Sequence, residues 1–227
     1  MRTALLGFLI VAIAATARAL DKSELDLQLR RLTAKFEAMQ GKPDRKVPPE
    51  TLAKAEGIIL LDRTKAGVVF AYQGGRGVAL VKDQKTGQWS PVAFLTASEA
   101  SVGFQIGGQQ SFFVILLMNT NSTRTLTEST FEFGGEAQGT AGNSHAGTAG
   151  TVAPTDRPVL IYDDRKGLYG GAAIKGDAIT PDTEANRIYY GQFLTLKDIV
   201  FDHKVAPTES GAQLAAKISD QSKVAGK

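Results

Sequence analysis

Between Lys22 and Gln40 the apolar side chains Leu25, Leu29, Leu32, Phe36 and Met39 recur at steps of four, three, four and three residues. At 3.6 residues per turn such steps keep all five on one stripe, so the segment is an amphipathic helix that must lay this stripe on another apolar surface. Gly41 ends the run and Pro43 bars its continuation. Pro48-Pro49-Glu50 opens a second short helix that closes at Gly57, with Leu52 and Ala55 turned inward.

Beyond Gly57 the period changes. Ile58–Leu61, Gly67–Tyr72, Gly77–Lys82, Val102–Ile106, Phe112–Met118, Val159–Tyr162, Leu168–Ile174 and Ile188–Tyr190 are short β-branched or aromatic runs bounded by turn residues, which reads as strands. Asp83–Gly87 and Asp163–Gly167 read as hairpin turns with glycine in the left-handed position. The glycine-rich stretch Gly134–Gly150 is either a loop or strand whose small residues admit a second backbone. A last helix over residues 211–224 carries Leu214 and Ile218 on one side. The fold class is therefore α+β: an antiparallel β-sheet or barrel-like body with an N-terminal amphipathic helix, a second short helix and a C-terminal helix.

The first residues read as an address. Arg2 supplies a positive start, an apolar run extends from Ala4 to Ala15, and Ala17-Arg18-Ala19 gives the small-x-small pattern of a signal-peptidase site. We expect residues 1–19 to be a signal peptide and residues 20–227 to form a single domain, periplasmic or secreted after cleavage. Losing Arg2 and Arg18 takes the net charge from +3 to +1, which gives nucleic acid little electrostatic hold.

Several chemistries lack their residues. The chain has no cysteine, which removes disulfides, thiolate metal sites and a Cys nucleophile, and its two histidines cannot build an imidazole-rich metal site. Gly142-Asn143-Ser144-His145-Ala146-Gly147 approaches the Gly-x-Ser-x-Gly elbow of serine hydrolases but fails its last spacing. Gly171–Gly176 lacks the Lys-Ser/Thr of a phosphate-binding loop, and Asp163 and Asp164 read as turn residues rather than a general acid–base pair. No catalytic residue, metal or cofactor is expected.

Several consecutive segments carry a family signature. They are Pro48–Ile58, Lys65-Ala66-Gly67, Gly74–Val78, Gly87–Pro91, Gly103–Gly107, Gly134-Gly135, Lys166–Gly171, Asn186, Tyr189-Tyr190-Gly191 and Asp198-Ile199. Their order and spacing resemble the SYLF domain, also called the Ysc84-type actin-binding or DUF500 family. The resemblance implies a non-enzymatic module that binds phospholipid head groups and uses its N-terminal amphipathic helix for membrane attachment. Eukaryotic members bind phosphoinositides, and some also bind and bundle actin, so a protein-interaction module is the alternative. Bacterial members are exported.

The candidate lipid-binding residues are accordingly those of the first helix: Leu25, Leu29, Arg30, Arg31, Leu32, Lys35, Phe36 and Met39. An interfacial helix gains about 25 cal/mol for each Å² of apolar surface it withdraws from water, and about 1 kcal/mol for each basic residue near an anionic surface. Residues 21–40 have no net charge, but Arg30, Arg31 and Lys35 open the most basic short stretch of the mature chain. The stripe has two readings: it packs on the sheet, or it leaves the sheet for an acyl layer. Arg63, Lys65, Arg76 and Lys82 are further head-group contacts if they are not simply solvated turn residues. The expected partner is phospholipid or a membrane surface; a protein partner is left open.

Overall fold

A computed structural model describes residues 20–66, 71–101, 109–131, 159–165, 167–169 and 178–223. The segment expected to be a signal peptide, the strand expected at Val102–Ile106 and the stretch Gly134–Gly150 with Ser144 and His145 lie outside them.

Helix α1 (Lys22–Gln40) begins where the Asp21 side chain accepts the Glu24 backbone N–H at 2.9 Å. At its far end, the buried Gln40 side chain accepts the Val47 N–H at 2.8 Å and donates to the Val47 carbonyl at 3.3 Å, turning the chain back toward the body. Helix α2 (Pro49–Lys54) follows and buries Leu52. Strands β1 (Gly57–Ala66), β2 (Ala71–Val81), β3 (Ala93–Ser101) and β4 (Gln109–Leu117) come next. Helix α3 (Thr120–Arg124) and a 3-10 turn (Thr125–Thr127) lead to β5 (Val159–Asp163), β6 (Gly167–Tyr169) and β7 (Ala178–Pro181). Helices α4 (Thr183–Tyr190), α5 (Leu196–Val200) and α6 (Glu209–Gln221) complete the chain.

Among the described residues the seven strands form one open sheet in the order β6-β5-β4-β1-β2-β3-β7, antiparallel at every pairing. The sheet is apolar on both faces. On one, Ile58, Leu60, Val78, Leu80, Phe94 and Val114 meet the whole α1 stripe together with Leu214 and Ile218 of α6. On the other, Ile59, Leu61, Phe113, Ile115 and Ile161 are covered by Leu126 of the 3-10 turn and by Leu196, Ile199 and Val200 of α5. Strands buried on both sides read as continuous apolar runs, which is why Ile58–Leu61 and Phe112–Met118 stand out in the sequence.

The fold departs from the sequence reading at Ile188–Tyr190, which is the end of α4 rather than a strand. Asp182 caps the helix by accepting the Ala185 N–H, and Gly191 terminates it at φ +71°. The fully buried Asn186 settles the position: its side chain accepts the Phe94 N–H at 2.8 Å and donates to the Phe94 carbonyl at 3.1 Å. Strands β3 and β7 were not among the expected runs, because their small and hydroxyl residues weaken the β signal.

Gly77 lies where a Cβ would stand 2.5 Å from the Leu60 carbonyl oxygen. Gly77→Ala should therefore destabilise the domain by about 1–3 kcal/mol through a forced shift of β1 against β2, read as a lowered midpoint in chemical denaturation. An unchanged midpoint would show that the two strands separate freely.

Candidate functional site

The α1 face of the sheet changes character along its strands. One cross-strand row is apolar: Tyr162, Val114, Leu60, Val78 and Phe94. In the next row Phe112 is followed by Asp62, Arg76 and Thr96, and beyond it Thr64 lies opposite Gly74. The N-terminal half of α1 passes over these polar positions without filling the space above them. The result is a groove of about 890 Å³, lined by Ser23, Glu24, Leu27, Gln28, Arg31 and Leu32 on the helix and by Asp62, Thr64, Gly74, Gly75, Arg76 and Thr96 on the sheet.

Two ties place α1 over the groove. Lys35 Nζ meets Asp62 Oδ2 at 2.5 Å, one helical turn beyond Arg31. The Tyr189 hydroxyl donates to Asp26 Oδ1 at 2.9 Å, so the Thr208 hydroxyl, 2.6 Å away, must donate to Tyr189. Thr208 Oγ1 in turn accepts the Gly211 N–H at the start of α6. A chain of polarised hydrogen bonds thus joins α1, α4 and α6. At the far end of α1, Lys217 pairs with Glu37 at 2.6 Å.

The sequence-derived residues divide sharply. Leu25, Leu29, Leu32, Phe36 and Met39 are all core residues, at most 2% exposed, so of the two readings of the stripe the structure has packing on the sheet. Arg31 and Arg76 are exposed, line the groove from opposite walls, and have no ion-pair partner among the described residues. Lys35 is committed to Asp62, and Arg30 is exposed near the Tyr189 hydroxyl without lining the groove.

Of the further head-group candidates whose side chains are described, Arg76 alone reaches the groove. Arg63 is buried on the opposite face of the sheet, above the Phe113 ring. Lys65 pairs with Gln73 and Gln109 along the β1 ladders. Lys82 donates to the Ala53 carbonyl at 2.8 Å and lies 4.9 Å from the centre of the Trp89 ring; burial lowers its pKa, against the opposing pull of Glu56. Sequence reasoning missed Leu27 and Asp62. Both carry a signal: Leu27 is a lone apolar residue off the helix stripe, and Asp62 continues the inward positions of Ile58 and Leu60 with a charge.

An open antiparallel sheet roofed by a long helix, with a charged groove between the two, defines an α+β domain whose recognisable feature is a ligand-sized recess. Residues 98–221 match the model of the family described as "Ysc84: Las17-binding protein actin regulator", and the chain belongs to this Ysc84, or SYLF, family. It is 32% identical over 161 residues to LAS seventeen-binding protein 3 of Saccharomyces cerevisiae, covering 69% of this chain and 35% of that protein. Identity to Protein YSC84 of the same yeast is also 32%, covering 69% and 34%. To SH3 domain-containing YSC84-like protein 1 of Xenopus laevis it is 30%, covering 74% and 51%. The chain thus spans a third to a half of the length of these relatives. No solved structure matches it.

Burial pushes the Tyr189 hydroxyl from its ordinary 10 up to about 12, with Thr208 opposing and Asp26 adding to the shift. A folded-state pKa above the unfolded one stabilises fully below pH 10, and that contribution is lost as pH rises through 12. Thermal stability should therefore fall as pH is raised past 10, and Tyr189→Phe should flatten this fall while costing about 1–3 kcal/mol at neutral pH. Melting curves across that range check both; an alkaline slope unaltered by the substitution would assign the transition to other groups.

Proposed function

We propose that this Ysc84-family chain is a non-enzymatic phospholipid-binding domain whose head-group site is the groove between α1 and strands β1–β3. The observation that carries the reading is the pair of guanidiniums, Arg31 and Arg76, which have no ion-pair partner among the described residues and face one recess beside Leu27, which is 47% exposed. Arginine presents a planar fork of donors suited to phosphate oxygens, and an exposed leucine at the rim is placed to meet the first carbons of an acyl chain. Attachment proceeds with α1 docked. Burying five large side chains is worth on the order of 10 kcal/mol, as much as the whole stability of an ordinary domain, so a helix that left the sheet would take the fold with it.

Export after cleavage behind Ala19 is part of the same proposal, with the domain acting at an envelope or extracellular membrane surface. Among the described residues no helix is long and apolar enough to cross a membrane.

The full chain should co-sediment with vesicles of phosphatidylcholine and phosphatidylglycerol. Arg31→Ala combined with Arg76→Ala should weaken binding by roughly thirtyfold, from about 1 kcal/mol per basic residue, with the circular dichroism spectrum unchanged. Equal binding by the double variant would remove the groove from the mechanism, and no binding by the unaltered chain would remove the lipid reading.

A second reading, a protein-interaction module, follows from the relatives' names and from one structural observation. Phe193, in the loop between α4 and α5, is 88% exposed, with the Arg187 guanidinium 5.6 Å from its ring centre. An aromatic anchor of this kind suits a protein interface. On this reading Phe193→Ala should abolish capture of a stoichiometric protein partner without altering vesicle binding; loss of vesicle binding alone would return the loop to the lipid site.

A further inference from the structure

Asp62 is the anomaly of the groove. Its position on β1 continues the inward sequence of Ile58 and Leu60, and its side chain is half-buried at the floor of the groove. One carboxylate oxygen, Oδ2, holds Lys35, while Oδ1 is buried and has no hydrogen-bond partner among the described residues. A buried, unsatisfied acceptor lowers stability and calls for an explanation beyond packing. The cross-strand neighbour of Asp62 is Arg76, and Lys35 stands one helical turn from Arg31. The carboxylate is therefore set among the three cations of the site and occupies one of them.

The charges of the described site are three cations, Arg31, Lys35 and Arg76, and two carboxylates, Glu24 and Asp62, a net of +1. Resting on the phospholipid reading above, we propose that Asp62 sets the charge capacity of the groove. With Asp62 ionised the site matches a singly charged phosphodiester head group. A head group bearing further phosphate monoesters meets the carboxylate at close range and finds Lys35 already taken. Like charges so placed discriminate by repulsion as effectively as new contacts do by attraction. Asp62 is thus a specificity-determining residue that acts through Lys35 and through its own charge.

The test compares vesicles of equal total surface charge, one set containing phosphatidylglycerol and the other phosphatidylinositol bisphosphate, both in phosphatidylcholine, with the full chain. The unaltered chain should bind the first set at least as tightly as the second. Asp62→Asn, which preserves shape and removes the charge, should shift the ratio toward the bisphosphate by roughly fivefold or more, the effect of one freed basic residue. Adding Lys35→Met to Asp62→Asn should bring the ratio back toward its starting value. A ratio unmoved by Asp62→Asn while binding persists would overturn this inference and leave the lipid reading standing, as would a gain that survives loss of Lys35. Failure of the unaltered chain to bind either set would overturn both. The water-soluble head groups glycerophosphoglycerol and inositol bisphosphate should bind far more weakly than the vesicles; equal affinity would assign the groove to free phosphate esters and overturn the lipid-borne source.

Discussion

The docking of the α1 stripe on the row formed by Leu60, Val78 and Phe94 holds the groove side of this molecule together. It covers the sheet face and fixes the helix axis, so that the flank of α1 carrying Ser23, Leu27, Gln28 and Arg31 becomes a wall of the groove. The groove is therefore a by-product of a register: the row of Asp62, Arg76 and Thr96 carries polar side chains along that flank, next to a row that is apolar. Moving the polar row one pair further along the strands would close the recess with apolar side chains.

The ties outside this contact are polar and peripheral, and they act on orientation more than on cohesion. Lys35 with Asp62 and Glu37 with Lys217 are part-exposed pairs, a class that adds little to stability. The Tyr189 chain is better shielded and ends on Asp26, close to the groove end of α1. Core burial thus supplies the energy, while these groups select the roll and slide of the helix. Such a division leaves the groove free to change its charge without changing the fold, since none of Arg31, Arg76 and Leu27 belongs to the buried stripe.

Much of the architecture was legible in the residues. The stripe from Leu25 to Met39 predicted both the helix and its buried face, and Asp83–Gly87 closes as a turn with Gly87 at φ +71°. The errors have physical causes. Ile188–Tyr190 is β-branched and aromatic, but helix capping by Asp182 and the tertiary anchoring of Asn186 outweigh that local preference. The site was half legible: Arg31 and Arg76 were singled out for their charge, whereas Arg63 and Lys82, chosen by the same criterion, serve packing. Charge alone does not reveal which face of a strand a residue occupies. That depends on strand register, and register is set by the neighbours to which a strand pairs. The family signature located Asn186 and Tyr189 without indicating that the first fastens α4 to the sheet and the second ties α4 to α1 and α6.

The Asn186 side chain also completes the end of a strand. Strand β3 pairs with β7 only from Leu95 onward, and the Asp182 N–H just past β7 reaches the Phe94 carbonyl at 2.9 Å, which would leave the Phe94 N–H open. The carboxamide answers that N–H and adds a second donor to the carbonyl. Vacant main-chain groups at the end of a strand are costly when buried, so a single amide carried on α4 completes the hydrogen bonding of β3 where β7 runs out.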